Sequence, residues 1–149
     1  MPEKHAIAEW RGDLRTGEGE VTSGSGALQR AKVTYATRFE NVPGTSPEEM
    51  IAAAHAVCYS IALADILNRR GLHPDDIRTR ATVAVEPRSG GWKITRSHLV
   101  VEGQVPGIDN TAFQEIAHAA EDACPVSNAL RGNVDIILEA ALIGVTTMV

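Results

Sequence analysis

Aromatic side chains make up only 4 % of this 149-residue sequence, too few to supply the stacking platforms that hold single-stranded nucleic acid. Positive charge is also short. Fourteen Lys and Arg stand against nineteen Asp and Glu, a net charge of −5, which argues against a surface built to grip phosphate backbones or anionic lipid. No uninterrupted apolar run approaches the length of a membrane-crossing helix, and the opening Met1-Pro2-Glu3-Lys4-His5-Ala6 carries no apolar signal core. Neither nucleic acid nor a membrane is therefore an expected partner, and a cytoplasmic location is expected. Cysteine is scarce as well: Cys58 and Cys124 stand far apart and form no CxxC motif. That rules out a disulfide scaffold and leaves three readings: two buried small hydrophobes, two metal ligands, or a thiol pair with redox chemistry. The five histidines form no HxxxH or HExxH pair, so no dedicated zinc site is expected.

What is present is globular: 44 % apolar and 22 % charged residues, in proportions that suit a packed core. No repeat or linker divides the chain, so a single domain over residues 1–149 is expected. Ala6–Trp10, the stretch through Gly19-Glu20-Val21-Thr22, and Lys32–Phe39 read as an N-terminal antiparallel meander. The Ser23-Gly24-Ser25-Gly26 run between them lacks the Gly-Lys-Ser/Thr of a phosphate loop and reads as a hairpin turn. Ser46 suits a helix N-cap, Pro47 the first helical position and Glu49 the carboxylate of a capping box. The helix that follows, Met50 to about Asn68, is apolar on every face until Asp65 and must be buried on all sides. A second chain would supply part of that wall. Gly71 suits its C′ position. Strands are predicted over Thr79–Glu86 and Trp92–Glu102, with a turn at Ser89-Gly90-Gly91. Phe113, Ile116, Ala117, Ala120 and Cys124 then recur at helical spacing, with Asp109, Asn110 or Thr111 as cap. A short turn over Pro125–Leu130 and a last strand over Val134–Glu139 complete an α+β domain.

Cys58 falls in the middle of the apolar helix, where the helix dipole gives little help and burial would raise its pKa. To react as a thiolate it needs a cation from elsewhere in the chain. Cys124 stands beside Pro125. If it ends the preceding helix, the dipole disfavours a thiolate; if it caps the Pro125 turn, the sign reverses.

Thr45-Ser46-Pro47-Glu48-Glu49-Met50-Ile51-Ala52-Ala53-Ala54-His55-Ala56-Val57-Cys58-Tyr59-Ser60, together with Ala123-Cys124-Pro125-Val126-Ser127, resembles the OsmC/Ohr family of thiol peroxidases. Trp10-Arg11-Gly12-Asp13, Thr37-Arg38-Phe39-Glu40 and Val105-Pro106-Gly107-Ile108-Asp109 extend the likeness over nearly the whole chain, closer to the OsmC (osmotically inducible) than the Ohr branch. Ser46 and Val57 depart from the family's more usual residues without touching the chemistry. The resemblance implies antiparallel sheets wrapped around buried central helices in an intertwined homodimer. It implies reduction of organic hydroperoxides, hydrogen peroxide less well, with Cys58 as peroxidatic and Cys124 as resolving cysteine, assisted by Arg38 and Glu48. An external dithiol, lipoyl groups prominent among them, would reopen the Cys58–Cys124 disulfide. No cofactor is implied, since sulfur carries both electrons.

The chemistry suits those residue types. Guanidinium is permanently charged and offers fixed donors to a thiolate and a departing oxygen, and a carboxylate holds such a fork in register. Plainer roles exist for each: Arg38 as a strand-end surface charge, Glu48 as a first-turn complement to the helix dipole. His55, one turn before Cys58, is either a general base or a packed, hydrogen-bonded core residue. Glu121 is expected in solvent, and Phe39, Met50, Ile51 and Ile61 in the core or a pocket wall. Ten residues of helix, about 15 Å, separate Glu48 from Cys58, more than an arginine comfortably bridges. A site shared between two chains is therefore expected, with Arg38 and Glu48 of one serving Cys58 of the other. The alternative to an enzyme is a non-catalytic redox-sensing or ligand-binding protein with a switchable thiol pair.

Overall fold

The computed structural model describes residues 1–144. Its backbone divides into two compact units, Met1–Met50 and the chain from Ile51 onward. In the first, β1 (Ala6–Arg11), β2 (Glu18–Ser23) and β3 (Ala31–Val33) form an antiparallel sheet in that order. The expected strand over 32–39 stops at Val33. Thr34 ends it, accepting a hydrogen bond from the Thr37 N–H while its own N–H donates to Thr37 Oγ1 at 2.7 Å. That reciprocal cap starts a short helix, α1 (Tyr35–Phe39). Thr37 Oγ1 also donates to the Thr45 carbonyl at 2.8 Å, tying α1 to the approach of the next helix.

That helix, α2 (Pro47–Arg69), begins as its sequence dictates, with Ser46 Oγ accepting from the Glu49 N–H at 3.1 Å. The capping box is only half made, because the Glu49 carboxylate accepts from Thr45 Oγ1 instead. At the other end Gly71 adopts a positive φ of 75°. The Gly71 N–H bonds the Asn68 carbonyl and the Leu72 N–H the Leu67 carbonyl, the paired closure in which a glycine lets the chain turn left-handed out of a helix.

In the second unit a long hairpin joins β4 (Asp76–Arg88) and β5 (Gly91–Gln104), with a bulge between Ala84 and Val85. Then follow α3 (Asn110–Ala123), capped by Asp109, α4 (Pro125–Leu130) and β6 (Asp135–Leu142). The sheet order is β4-β5-β6, but it is not wholly antiparallel as expected: β6 runs parallel to β5. The crossover through α3 and α4 is the reason, since it returns the chain to the same end of the sheet before β6 begins. The core joins Tyr59, Leu63 and Leu67, spaced four apart along one face of α2, to Leu99, Val101 and Val105 from β5 and its exit, and to Phe113, Ile116, Ala120 and Cys124 from α3 and its end. Gly103 lies against Phe113 so closely that a Cβ would come 2.6 Å from the ring.

Expected burial of α2 on all sides does not hold within one chain. Val57 is 59 % and Ile61 64 % exposed, and with Ala56 and Ser60 they form one wall of an open groove whose other wall is the start of β4, Asp76–Thr79. By length and a mean hydropathy of 1.8 alone, α2 would pass for a membrane span, although its Tyr59–Leu63–Leu67 face is fully buried protein core.

Candidate active site

The four residues singled out in the sequence fall into two pairs, one in each unit. Arg38 projects from α1, rather than from a strand end, and meets Glu48 in the first turn of α2. Nε and Nη2 of the guanidinium donate to Glu48 Oε1 at 3.1 and 2.8 Å, and Nε reaches Oε2 at 3.4 Å. The Glu48 side chain is only 7 % exposed and that of Arg38 37 %. A nearly buried carboxylate thus grips two of three guanidinium nitrogens and leaves Nη1 outside the pair. The guanidinium also lies over the Phe39 ring, 5.2 Å from its centroid, which limits its swing further.

Cys58 and Cys124 are both free thiols, brought beside one another by the packing of α2 against the α3–α4 corner. Cys124 ends α3 and caps α4 at once. Its own N–H closes α3 on the Ala120 carbonyl, while its Sγ accepts from the Ser127 N–H at 3.5 Å. Pro125, lacking an N–H, takes the first position of α4, where none is needed. Burial pushes the Cys58 thiol pKa up; the Val126 N–H donates to its sulfur and works against that rise, and the neighbouring Cys124 adds to it. Within the single chain Cys58 is accordingly a thiol rather than a thiolate.

His55, one turn before Cys58, is fully buried. Both ring nitrogens are engaged: Nδ1 with Ser97 Oγ at 2.6 Å and Nε2 with Ser127 Oγ at 2.7 Å. Desolvation lowers its pKa, so the ring is neutral and has no nitrogen to spare as a general base. Glu121, expected in solvent, is a correction: its side chain is 15 % exposed and paired with Arg131 at 2.9 Å. Arg131 also donates to the Glu121 carbonyl and to Asn128 Oδ1, strapping the end of α3 to α4 around Cys124. Tyr59 donates to the Ala117 carbonyl at 2.9 Å, and burial, followed by the charges of Glu121 and Cys124, pushes its hydroxyl pKa up. The sequence offered no signal for Ser97 or for the Val126 N–H, which reach the site through pairings far apart in the chain. Among the described residues no three His, Cys, Asp or Glu side chains converge as a metal site.

Fold and thiols together define a class: an α+β protein with two free cysteines in contact where a half-buried helix meets a proline-started corner. The chain belongs to the OsmC/Ohr family, its residues 39–139 matching the family model described as OsmC-like protein. It is 41 % identical over 131 residues to the peroxiredoxin OsmC of Escherichia coli (strain K12), spanning 88 % of this chain and 92 % of that one. Identity to the organic hydroperoxide resistance protein OhrB of Bacillus subtilis (strain 168) is 33 % over 122 residues, spanning 81 % and 88 %. The crystal structure of that OhrB superposes with a TM-score of 0.72, covering 92 % of this chain and 98 % of OhrB.

Proposed function

We propose that this protein is a thiol-dependent peroxidase that reduces organic hydroperoxides, and hydrogen peroxide less well. The observation that carries the reading is the contact between Cys58 and Cys124, with the Val126 N–H directed at the Cys58 sulfur. The names of the E. coli and B. subtilis relatives point the same way. In the first step the Cys58 thiolate attacks the terminal peroxide oxygen; an S–O bond forms, the O–O bond breaks, and the alkoxide leaves and takes a proton. Cys58 is then a sulfenic acid. In the second step the Cys124 thiolate attacks the Cys58 sulfur, an S–S bond forms, and hydroxide leaves and is protonated to water. A dithiol of lipoyl type returns two electrons and two protons to the disulfide.

Burial opposes the thiolate that the first step needs, so a cation is required. Arg38 is the residue assigned to that task, with Glu48 holding its fork and Nη1 left to meet the peroxide. Because ten residues of α2 separate Glu48 from Cys58, the site is proposed to be shared: Arg38 and Glu48 of one chain serve Cys58 of a two-fold partner, while the disulfide stays within a chain. The exposed Val57 and Ile61 supply an apolar face for such a partner. The intertwined dimer and the treatment of residues 1–149 as one domain belong to this proposal.

The test is multiple turnover. With excess dithiol, the protein consumes organic hydroperoxide far beyond its own concentration; Cys58→Ser consumes none; Cys124→Ser performs one attack and then over-oxidises. Consumption limited to one equivalent in the unaltered protein would leave a switch rather than an enzyme.

A further inference from the structure

His55 is a buried titratable group near the thiols that the proposed reaction does not use, and both of its ring nitrogens are held. His55, Ser97 and Ser127 are each fully buried, and each ring nitrogen of His55 bonds one serine hydroxyl, Nδ1 that of Ser97 and Nε2 that of Ser127. A buried neutral imidazole donates from one nitrogen and accepts at the other, so the two serines lock its orientation. The ring projects from α2 three residues before Cys58, and residues so spaced share a helix face. Its Nε2 partner, Ser127, stands three residues after Cys124 in the first turn of α4. The two thiol-bearing segments are therefore joined by the His55–Ser127 bond, one turn from where Cys58 and Cys124 neighbour each other. Ser97 on β5 anchors His55 to the sheet.

The backbone of that same α4 turn serves both sulfurs. The Ser127 N–H donates to Cys124, and the Val126 N–H to Cys58. Whatever fixes the Ser127 side chain thus fixes the donors of both thiols.

We propose that His55 is a positioning residue of the thiol pair, acting through Ser127 to hold the first turn of α4, and with it Cys124, in register with Cys58. It exchanges no proton with substrate. It sets how readily the two sulfurs meet, and so divides the fate of oxidised Cys58 between disulfide formation and further oxidation. The consequence for turnover rests on the peroxidase reading; the effect on the thiol pair itself does not.

The experiment is a redox titration of the folded protein against reduced and oxidised dithiothreitol, with the Cys58–Cys124 disulfide read by mass after alkylation. Removing one buried hydrogen bond from the frame is expected to lower the equilibrium constant for closing the disulfide about tenfold in Ser127→Ala and in His55→Gln. Ser127→Thr, which keeps the hydroxyl, restores it. In parallel, each variant receives one equivalent of organic hydroperoxide followed by an excess, and more Cys58 sulfinic acid is expected wherever closure is impaired. If Ser127→Ala does not fold, as judged by circular dichroism and thermal melting, His55→Gln decides alone. Folded variants that melt at lower temperature yet keep the unaltered closing constant and the unaltered sulfinic fraction would overturn the inference and leave His55 a packing residue. A shifted closing constant in a protein that does not turn over hydroperoxide would uphold the positioning role while refuting the peroxidase reading.

Discussion

The groove beside α2 gives the proposed dimer a quantitative test. Ile61 is 64 % and Val57 59 % exposed in the single chain, on a helix that is apolar enough to pass for a membrane span. Full burial of a Val or Ile side chain contributes about 1.5–3 kcal/mol, so covering the exposed three-fifths of either contributes about 1–2 kcal/mol. A two-fold interface counts each side chain twice, which makes Ile61 alone responsible for about 2–4 kcal/mol of association. Ile61→Glu forfeits that contribution and adds two carboxylates that must lose water. The dimer dissociation constant should rise by at least about 30-fold and up to about 1000-fold. Sedimentation velocity over a concentration series reads it directly: the unaltered chain, 15.9 kDa as a monomer, is expected to sediment as a dimer, and Ile61→Glu to shift to the monomer at the same concentrations. Because Ile61 is exposed within the chain, far-ultraviolet circular dichroism should be unchanged. Peroxidase activity should fall in proportion to the dimer lost. An unaltered chain that sediments as a monomer, or a variant that dimerises as tightly, would refute the reasoning.

The remaining predictions concern charge and protons. Arg38→Ala should raise the Cys58 pKa further, seen as a shift of pH-dependent alkylation to higher pH; an unchanged profile would remove Arg38 from the site. Arg38→Lys keeps the charge but loses the planar fork on Glu48, so the peroxidase rate should fall about tenfold or more. Refolding Cys58→Ser together with Arg38→Ala should regain up to about a quarter of the unaltered rate, because half the random pairs are mixed and each carries one working site; inactivity in verified mixed dimers would place the site within one chain. His55 has its pKa lowered by desolvation from 6.5, with only neutral serines on its ring nitrogens. The unfolded chain therefore takes up this proton first. Its contribution to stability is complete above about pH 6.5 and is lost as the pH falls below it, by at most about 1.4 kcal/mol per pH unit. Urea unfolding between pH 7.5 and 5.5 should show a shallower loss in His55→Gln than in the unaltered protein; equal slopes would refute this.

The sequence disclosed most where local chemistry decides structure. Ser46 and Pro47 at the start of α2, Gly71 at its end and Asp109 before α3 act as their residue types dictate. It misled where a local signal had two meanings. Lys32–Phe39 alternates like a strand, yet Thr34 and Thr37 are a reciprocal helix cap, and the cap won. It was silent where the outcome depends on parts of the chain far apart. The parallel direction of β6 follows from the crossover rather than from any residue in the strand. Ser97 and Ser127 lie far along the chain from His55, and nothing near either announces a histidine. Glu121 looked solvated because its partner Arg131 lies beyond the break at Pro125. The dual role of Cys124, left open by the sequence, follows from Pro125: the same proline that cannot extend α3 can start α4.

The most direct test of the thiol peroxidase account needs a single equivalent of oxidant and no reductant. The reduced protein is treated with one equivalent of an organic hydroperoxide, alkylated, and digested without reduction. The account predicts a mass lower by about 2 Da, the corresponding alcohol in equal amount, and a cross-linked pair of peptides carrying Cys58 and Cys124 from one chain. Two alkylated cysteines with the hydroperoxide unconsumed would contradict it.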